Sequence, residues 1–415
     1  MHPNALQKIA NNIKGSLINC QIKDSWPQFE SFYDHVESLG KEVLKHKKNW
    51  IDSSDIFSIF YDFVNEVIGK IIKNDEKLNG NLWDILGEDQ GIILAKNIKD
   101  YIISIPRTFD VYIPIPNISI DFSESITLPG NISLVIFKNE AQVPGGVKEG
   151  WSSLFENKLD INKIYFRQQQ IGYCGTRLEN LCLKKAISNF KILLQQGIAK
   201  KLFNISSDRA SRISLGNVLG MYSHYEIPKI PLISIDLSDQ TPKLIKAQLP
   251  LEFSKLLNNI SFNWKNNILI NAKEKGELKK TITSILTKAA KLIECTEEES
   301  KRVKSAIEWC FNSYIVENQT LAFLQICIGL EALLGDEGYN GSLTETLADR
   351  CSYLISNDIK DRKTIRKEFK ALYNIRSKLI HGNSLELDSN QKRYLHWGRI
   401  ILELAISKEI NHLNL

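Results

Sequence analysis

Methionine and proline are scarce, at 2 and 11 of 415 residues, and no arginine occurs before Arg107. With Asn, Ile and Lys plentiful, this bias reads as base composition rather than as function. The seven cysteines (Cys20, Cys174, Cys182, Cys295, Cys310, Cys327 and Cys351) are odd in number and widely spaced, with no Cys-x-x-Cys pair. A disulfide framework and a structural zinc site are therefore not expected, and a reducing, cytoplasmic setting is. The first residues, MHPNALQKIANNIKG, have no apolar core and no cleavage-site pattern, so no signal peptide is expected. No uncharged apolar run of about 18 residues occurs, which argues against a membrane span. A large excess of one charge is missing too. Lys plus Arg number 53 against 48 Asp plus Glu, and the net charge of +5 is too mild to mark a nucleic-acid binder by itself. What remains is ordinary globular composition, 43% hydrophobic and 24% charged. The length suits two or three domains.

The patterning predicts an α+β chain: a mixed helix and strand N-terminal region followed by an all-α helical bundle. Residues 1–105 read as helical, with DIFSIFYDFVNEVIGKII (Asp55–Ile72) carrying apolar residues at helical spacing. Residues 106–285 read as a β-rich mixed region, expected to have a sensing or regulatory role. Here TFDVYIPIPNISIDFSESITLPGNISLVIF alternates apolar and polar residues, and Pro114 and Pro116 suggest strands at sheet edges, since proline cannot donate to a ladder. Further strands are expected at 163–172 and 230–237, and an amphipathic helix at 178–199. The Gly-rich segment 144–150 lacks the Gly-Lys-Ser/Thr of a phosphate loop and reads as a turn. His35 and His46 read as surface residues, His224 has no evident partner, and His396 is assigned to packing beside Trp397.

Residues 286–415 divide into helices. Thr296 and Glu299 have capping-box spacing and predict a helix start near 297. The stretch 318–334 is apolar almost all round and is expected to be buried, ending at Gly335 and Gly338. Helices near 343–356, 362–380 and 390–409 follow, with Gly341 and the Gly382–Asn383 pair among the separators. Three apolar stripes are interrupted by charge. Ile365, Phe369, Leu372 and Leu379 share a face with Arg376; Leu343, Leu347 and Leu354 with Arg350; Leu321, Leu324 and Ile328 with Glu331. A buried ion must pair or face a cavity, because stripping its water costs several kcal/mol. Two readings stay open: an internal bridge that fixes helix register, or a polar pocket for an anion.

His381 stands five positions after Arg376, just before the helix-stopping Gly382. An Arg that can fork onto phosphate and a His that titrates near neutrality are the side chains metal-free RNA cleavage requires. The spacing alone arises readily by chance, and the context carries the specificity. LYNIRSKLIHG (Leu372–Gly382) resembles the signature of HEPN domains, in which an Arg precedes a His by a few residues. GLEALLG (Gly329–Gly335) and LTETLADRCSYL (Leu343–Leu354) resemble the Apea-like branch of that family. The resemblance covers roughly the last third of the chain. It implies a helical, homodimerising domain and, in active members, a metal-independent endoribonuclease used in anti-phage defence, abortive infection or a toxin system. Carried over, Arg376 and His381 take the motif positions, with Tyr373 and Ser377 beside them and Glu331 and Arg350 at recurrent charged positions. Ser377 departs from the Asn, Asp or His more usual after the Arg.

The implied chemistry needs no cofactor and no metal. A base takes the ribose 2′-OH proton, the oxygen attacks the adjacent phosphorus, and a 2′,3′-cyclic phosphate and a 5′-OH end result. His381 serves as base or acid and Arg376 holds the phosphate. A two-fold dimer would bring two such pairs together. Lys363, Arg366, Lys367 and Lys370 share a helical face leading toward the motif and, with Lys378, are the expected RNA contacts. The expected partners are RNA, including tRNA, a second copy of the chain, and a phage-derived trigger or regulatory partner at the N-terminal region. The competing expectation is a catalytically silent HEPN module that binds RNA or dimerises.

Overall fold

The structure is a computed structural model that describes residues 1–72, 77–118, 125–139, 142–144, 159–205, 229–238, 243–274, 276–335, 343–382, 384–413 and 415. Most of the Gly-rich segment, His224, Gly338, Gly341 and Asn383 lie outside the described residues.

The chain opens with helices α1 (Pro3–Asn19), α2 (Phe29–Lys47), α3 (Ser53–Ile71) and α4 (Leu82–Ser104). Their apolar faces meet in a core of their own around Ile13, Phe32, Val36, Phe60 and Ile98. Helix α3 starts on a reciprocal cap: Asp52 accepts from the Asp55 N–H and Asp55 from the Asp52 N–H. Short strands β1 (Gln21–Lys23), β2 (Trp26–Gln28) and β3 (Gly80–Asn81) add a small sheet to this helical region. Two- and three-residue strands are too short to show an alternation in sequence.

A six-stranded antiparallel sheet follows, built from β4 (Arg107–Ile115), β5 (Ile126–Leu128), β6 (Ile132–Ile136), β7 (Ile164–Gly172), β9 (Pro231–Asp236) and β10 (Lys243–Gln248), in the order β10-β9-β4-β7-β6-β5. β8 (Phe203–Ile205) pairs separately with β11 (Ile260–Phe262). Strand β4 lies in the middle, not at an edge as its prolines suggested. It tolerates Pro114 because β9 pairs only with Phe109–Tyr112, so at Pro114 the strand has a single neighbour.

The inner face of the sheet (Phe109, Val111, Leu134, Phe166) packs on α5 (Leu181–Ala199), which Asn180 caps by accepting from the Cys182 and Leu183 N–H groups. Short helices α6 (Leu251–Asn259) and α7 (Asn267–Glu274) complete this part. Six helices then form the C-terminal bundle: α8 (Leu278–Glu294), α9 (Glu298–Ile315), α10 (Gln319–Leu334), α11 (Leu343–Ile355), α12 (Ile359–Ile380) and α13 (Lys392–His412). The expected boundary at 285/286 falls inside α8, and one hydrophobic cluster runs without a break from the sheet's inner face to Ile410. Thr296 does not cap α9. Glu297 takes that position, with no side-chain hydrogen bond to the helix. Close helix contacts depend on two glycines: a Cβ on Gly329 would meet Leu402 at 2.7 Å, and one on Gly398 would meet Leu372 at 2.8 Å.

Among the described residues no helix is long and apolar enough to cross a membrane. The α+β class read from the sequence is the class observed, with helices gathered toward both ends and the sheet between them.

Asp55 joins the N-terminal core to α5, accepting from the Asn180 side chain at 3.0 Å. Burial raises its pKa from 3.8 to about 6, against the opposing hydrogen bond from Asn180. The folded state therefore holds this proton more tightly than the unfolded chain. The stability it contributes is complete below about pH 4 and is lost as pH rises through about 6, a loss on the order of 2–3 kcal/mol. Asp55→Asn removes the titration and keeps a side chain that can accept. The difference in thermal midpoint between wild type and Asp55→Asn is expected to slope across that window, and parallel midpoint curves would contradict this account.

Candidate functional site

Helix α12 begins at Asp358, whose side chain accepts from the Lys360 and Asp361 N–H groups, and ends at His381. Its apolar residues Phe369, Leu372 and Tyr373 enter the core, with Phe369 and Tyr373 stacked at 4.8 Å. The helix stops because Gly382 adopts φ +71°, a left-handed conformation that glycine accepts without strain. His381 is exposed at this end, and its backbone N–H is bonded to the Ser377 carbonyl at 3.0 Å.

Arg376 points to α10. Its Nη2 lies 3.0 Å from one Glu331 oxygen and 3.3 Å from the other, and its buried Nε has no hydrogen-bond partner among the described residues. The two side chains are 28% and 25% exposed, so the pair sits at the rim of the core rather than inside it. This revises the stripe read on α10. Ala322, Phe323, Ile326, Cys327 and Leu330 form its buried face, whereas Leu321 is 53% exposed and Leu324 and Ile328 are half-buried. Because that helix is apolar almost all round, periodicity could not select the face. Tyr373 completes the cluster beneath the pair: its hydroxyl donates to the Cys327 carbonyl at 3.4 Å. Burial, and then the Glu331 carboxylate, hold the phenol well above its ordinary range, so it stays protonated.

Arg350 is held at the end of α10. Its Nη1 donates to the Leu334 carbonyl at 2.8 Å, at the C-terminus of α10 where carbonyls lack helical partners. It lines a separate cavity of about 450 Å³ with Arg302, Tyr353 and Glu409. Arg302 was not singled out from the sequence, and nothing local to it signals this position. Ser377 is half-buried next to Arg376 and contributes the carbonyl that holds the His381 N–H.

The basic row on α12 is split by its neighbour α11. Arg366 meets Glu345 and Asp349, each at 2.8 Å, and Lys370 meets Glu345 at 2.6 Å. The two cations together hold the Glu345 carboxyl below its usual range, Lys370 first and Arg366 second. These pairs are exposed and screened by solvent. Lys363, Lys367 and Lys378 are exposed and enter none of the observed ion pairs. Arg362 is occupied with the Ser356 carbonyl at 2.8 Å and stands over the Tyr353 ring at 4.2 Å. The acidic partners were invisible in sequence because Glu345 and Asp349 lie about twenty residues away and reach α12 only through the packing of α11. His396, expected to pack beside Trp397, is exposed; Trp397 is half-buried. Among the described residues no three His, Cys, Asp or Glu side chains converge on a point that could hold a metal ion.

The arrangement can therefore do two things. It holds a guanidinium, 28% exposed, steadied by Glu331 and with a buried Nε that has no partner among the described residues, on the helix whose exposed end carries an imidazole. It also presents Lys363, Lys367 and Lys378 on that helix, exposed and in no ion pair among the described residues. Comparison of the chain with protein-family models, curated proteins and solved structures returns no match.

The Arg376–Glu331 pair can be measured by a double-mutant cycle. Arg376→Ala, Glu331→Ala and the double variant, compared by denaturation, are expected to give a coupling of about 1 kcal/mol, the size suited to a partly screened pair. Strictly additive losses would mean that the two side chains do not hold one another in solution.

Proposed function

We propose that this chain is a metal-independent endoribonuclease that cleaves RNA by 2′-OH transesterification, acting in the cytoplasm in anti-phage defence, abortive infection or a toxin system. The observation that carries the reading is the placement of Arg376. It is fixed by Glu331 at the rim of the core, keeps Nε unbonded, and stands one helical turn and a half before an exposed His381. Glu331 orients the guanidinium, and Arg376 binds the scissile phosphate and offsets charge that develops on its oxygens. His381 takes the 2′-OH proton or gives one to the departing 5′-oxygen. One chain contributes one imidazole, so a homodimer that sets two copies side by side supplies both base and acid. Lys363, Lys367 and Lys378 supply salt-sensitive, sequence-independent contact with the RNA backbone. Arg366 and Lys370 contribute only where phosphate displaces Glu345 and Asp349. The resemblance of LYNIRSKLIHG to HEPN domains supports the reading independently of the geometry.

A second reading has its own observation. Two of the five basic side chains expected to meet RNA are neutralised within the chain, and Arg376 is itself ion-paired. A silent HEPN module that binds RNA or dimerises would have the same features. Cleavage separates the two. Purified full-length protein is expected to cut labelled total RNA or tRNA in the presence of EDTA and leave 2′,3′-cyclic phosphate ends. His381→Ala should lower the rate by about 10²–10⁴-fold with an unchanged circular dichroism spectrum, and Arg376→Ala by about 10²-fold or more. RNA binding without cleavage, equal in wild type and His381→Ala, would favour the silent module.

A further inference from the structure

The outer face of the six-stranded sheet is divided. One part is apolar and covered: Tyr165, Ile233 and Ile235 pack with Phe137 and Leu159. The other part is polar and encloses a cavity of about 440 Å³. Strand register explains why polar groups meet there. Tyr112 of β4 lies opposite Arg167 of β7, Arg167 opposite Ser133 of β6, and Ser133 opposite Thr127 of β5. Asp110 and Gln169 form the adjoining row. Directly opposed side chains on one face stand close enough to act together, so six side chains from four strands converge on one space.

The hydrogen bonding of this cluster is incomplete. Arg167 gives Asp110 Oδ2 two contacts, from Nη2 at 2.7 Å and Nε at 2.9 Å, and the Tyr112 hydroxyl donates to the same oxygen at 3.4 Å. Among the described residues Asp110 Oδ1 has no hydrogen-bond partner, and the residue is only 4% exposed. Ser133, 5% exposed, has an Oγ in the same condition. A buried polar atom left without a partner costs free energy that a bound donor restores.

We propose that this cavity binds a small, neutral, polyhydroxylated ligand, a free sugar or the ribose of a nucleoside, with Asp110, Ser133 and Thr127 meeting its hydroxyls. The charge balance selects this chemistry. The carboxylate and the guanidinium offset one another, so a polyphosphate finds no spare cation and an organic cation meets Arg167. The Asp110 oxygen can only accept, whereas Ser133, Thr127 and Gln169 each donate and accept, which suits hydroxyls that do both. Tyr112 and Val135 supply an apolar wall for a sugar face or a base. The volume falls in the range of small-molecule pockets. The proposal is independent of the nuclease reading and concerns a different surface.

Titration of the full-length protein with D-glucose, D-ribose and adenosine, followed by calorimetry and by saturation-transfer NMR, tests it. Saturable binding with a Kd of about 1 mM or tighter is expected for at least one of the three. Asp110→Asn should weaken it about tenfold or more. Thr127→Val, an isosteric change at an exposed strand position, and Ser133→Ala should each weaken it several-fold, which keeps the test decisive should Asp110→Asn fail to fold. Adenosine binding tighter than ribose assigns the nucleoside, and glucose binding tightest assigns a saccharide. Failure of all three to bind, or binding that Thr127→Val and Ser133→Ala leave unchanged, overturns the proposal.

Discussion

Enclosure of α5 (Leu181–Ala199) is the constraint on which the rest of the structure depends. The helix is covered by the sheet on one side and by α8, α9 and α13 on others, and its first turn abuts the N-terminal helices. Leu183, Ala186, Phe190, Leu193 and Leu194 supply the apolar contact. Yet the helix also takes Asn189, Gln195 and Gln196 out of water, and Gln195 Oε1 and Gln196 Nε2 have no hydrogen-bond partner among the described residues. Such groups are tolerated when they find fixed partners. Asn189 donates to Gln168 of β7 at 3.0 Å, Asn180 to Asp55 of α3 at 3.0 Å, and Gln195 reaches Glu403 of α13 at 3.4 Å. Hydrophobic burial is non-directional, so it alone would allow α5 to slide between its neighbours. The amides fix its register against all three.

The same enclosure decides what the C-terminal helices are. Residues 286–415 look self-sufficient when read as periodicity, with short connections and strong apolar faces. In three dimensions their core is shared. Phe311 of α9 packs edge-on against Phe253 of α6 at 5.6 Å, and Phe253 lies 6.2 Å from Phe190 of α5. Glu403 adds a polar link, accepting from Tyr314 at 2.5 Å; burial raises its pKa against that bond. Cutting the chain near 286 would divide α8 and expose this shared core. The bundle that carries Arg376 and His381 thus shares one hydrophobic core with the sheet.

Local signals were legible where one element decides the outcome. Helix α3, strand β7 and helix α5 follow from spacing, caps and β-branched content, and each lies within about three residues of its expected bounds. Signals failed where a second element decides. Pro114 reads as an edge residue until the short reach of β9 along β4 is known. Thr296 and Glu299 have capping-box spacing, but Glu297 occupies the cap and Ser300 donates back to its carbonyl. The α12 lysines and arginines read as one basic face until α11 brings Glu345 and Asp349 against two of them. The α10 sequence is so uniformly apolar that its buried side was undetermined, and Glu331 was placed deeper than it lies. The Arg376 and Glu331 partnership itself was one of two readings open in sequence, and only the packing of α10 on α12 brings them to 3.0 Å.

That partnership is not explained by stability. Replacing a partly buried ion pair by apolar side chains of similar size is often neutral or stabilising, because the desolvation cost of two ions rivals their attraction. A Leu or Met at each position would extend the surface already made by Phe369, Leu372 and Tyr373. The charges instead hold a guanidinium at the core's edge, with the protonated Tyr373 bonded to the Cys327 carbonyl beneath. A carboxylate at 3.0 Å restrains the guanidinium's orientation without consuming all of its five donors. In the proposed nuclease reading, a phosphate would meet a cation already oriented, and the ordering cost that a free surface arginine would incur on binding would largely be met in advance.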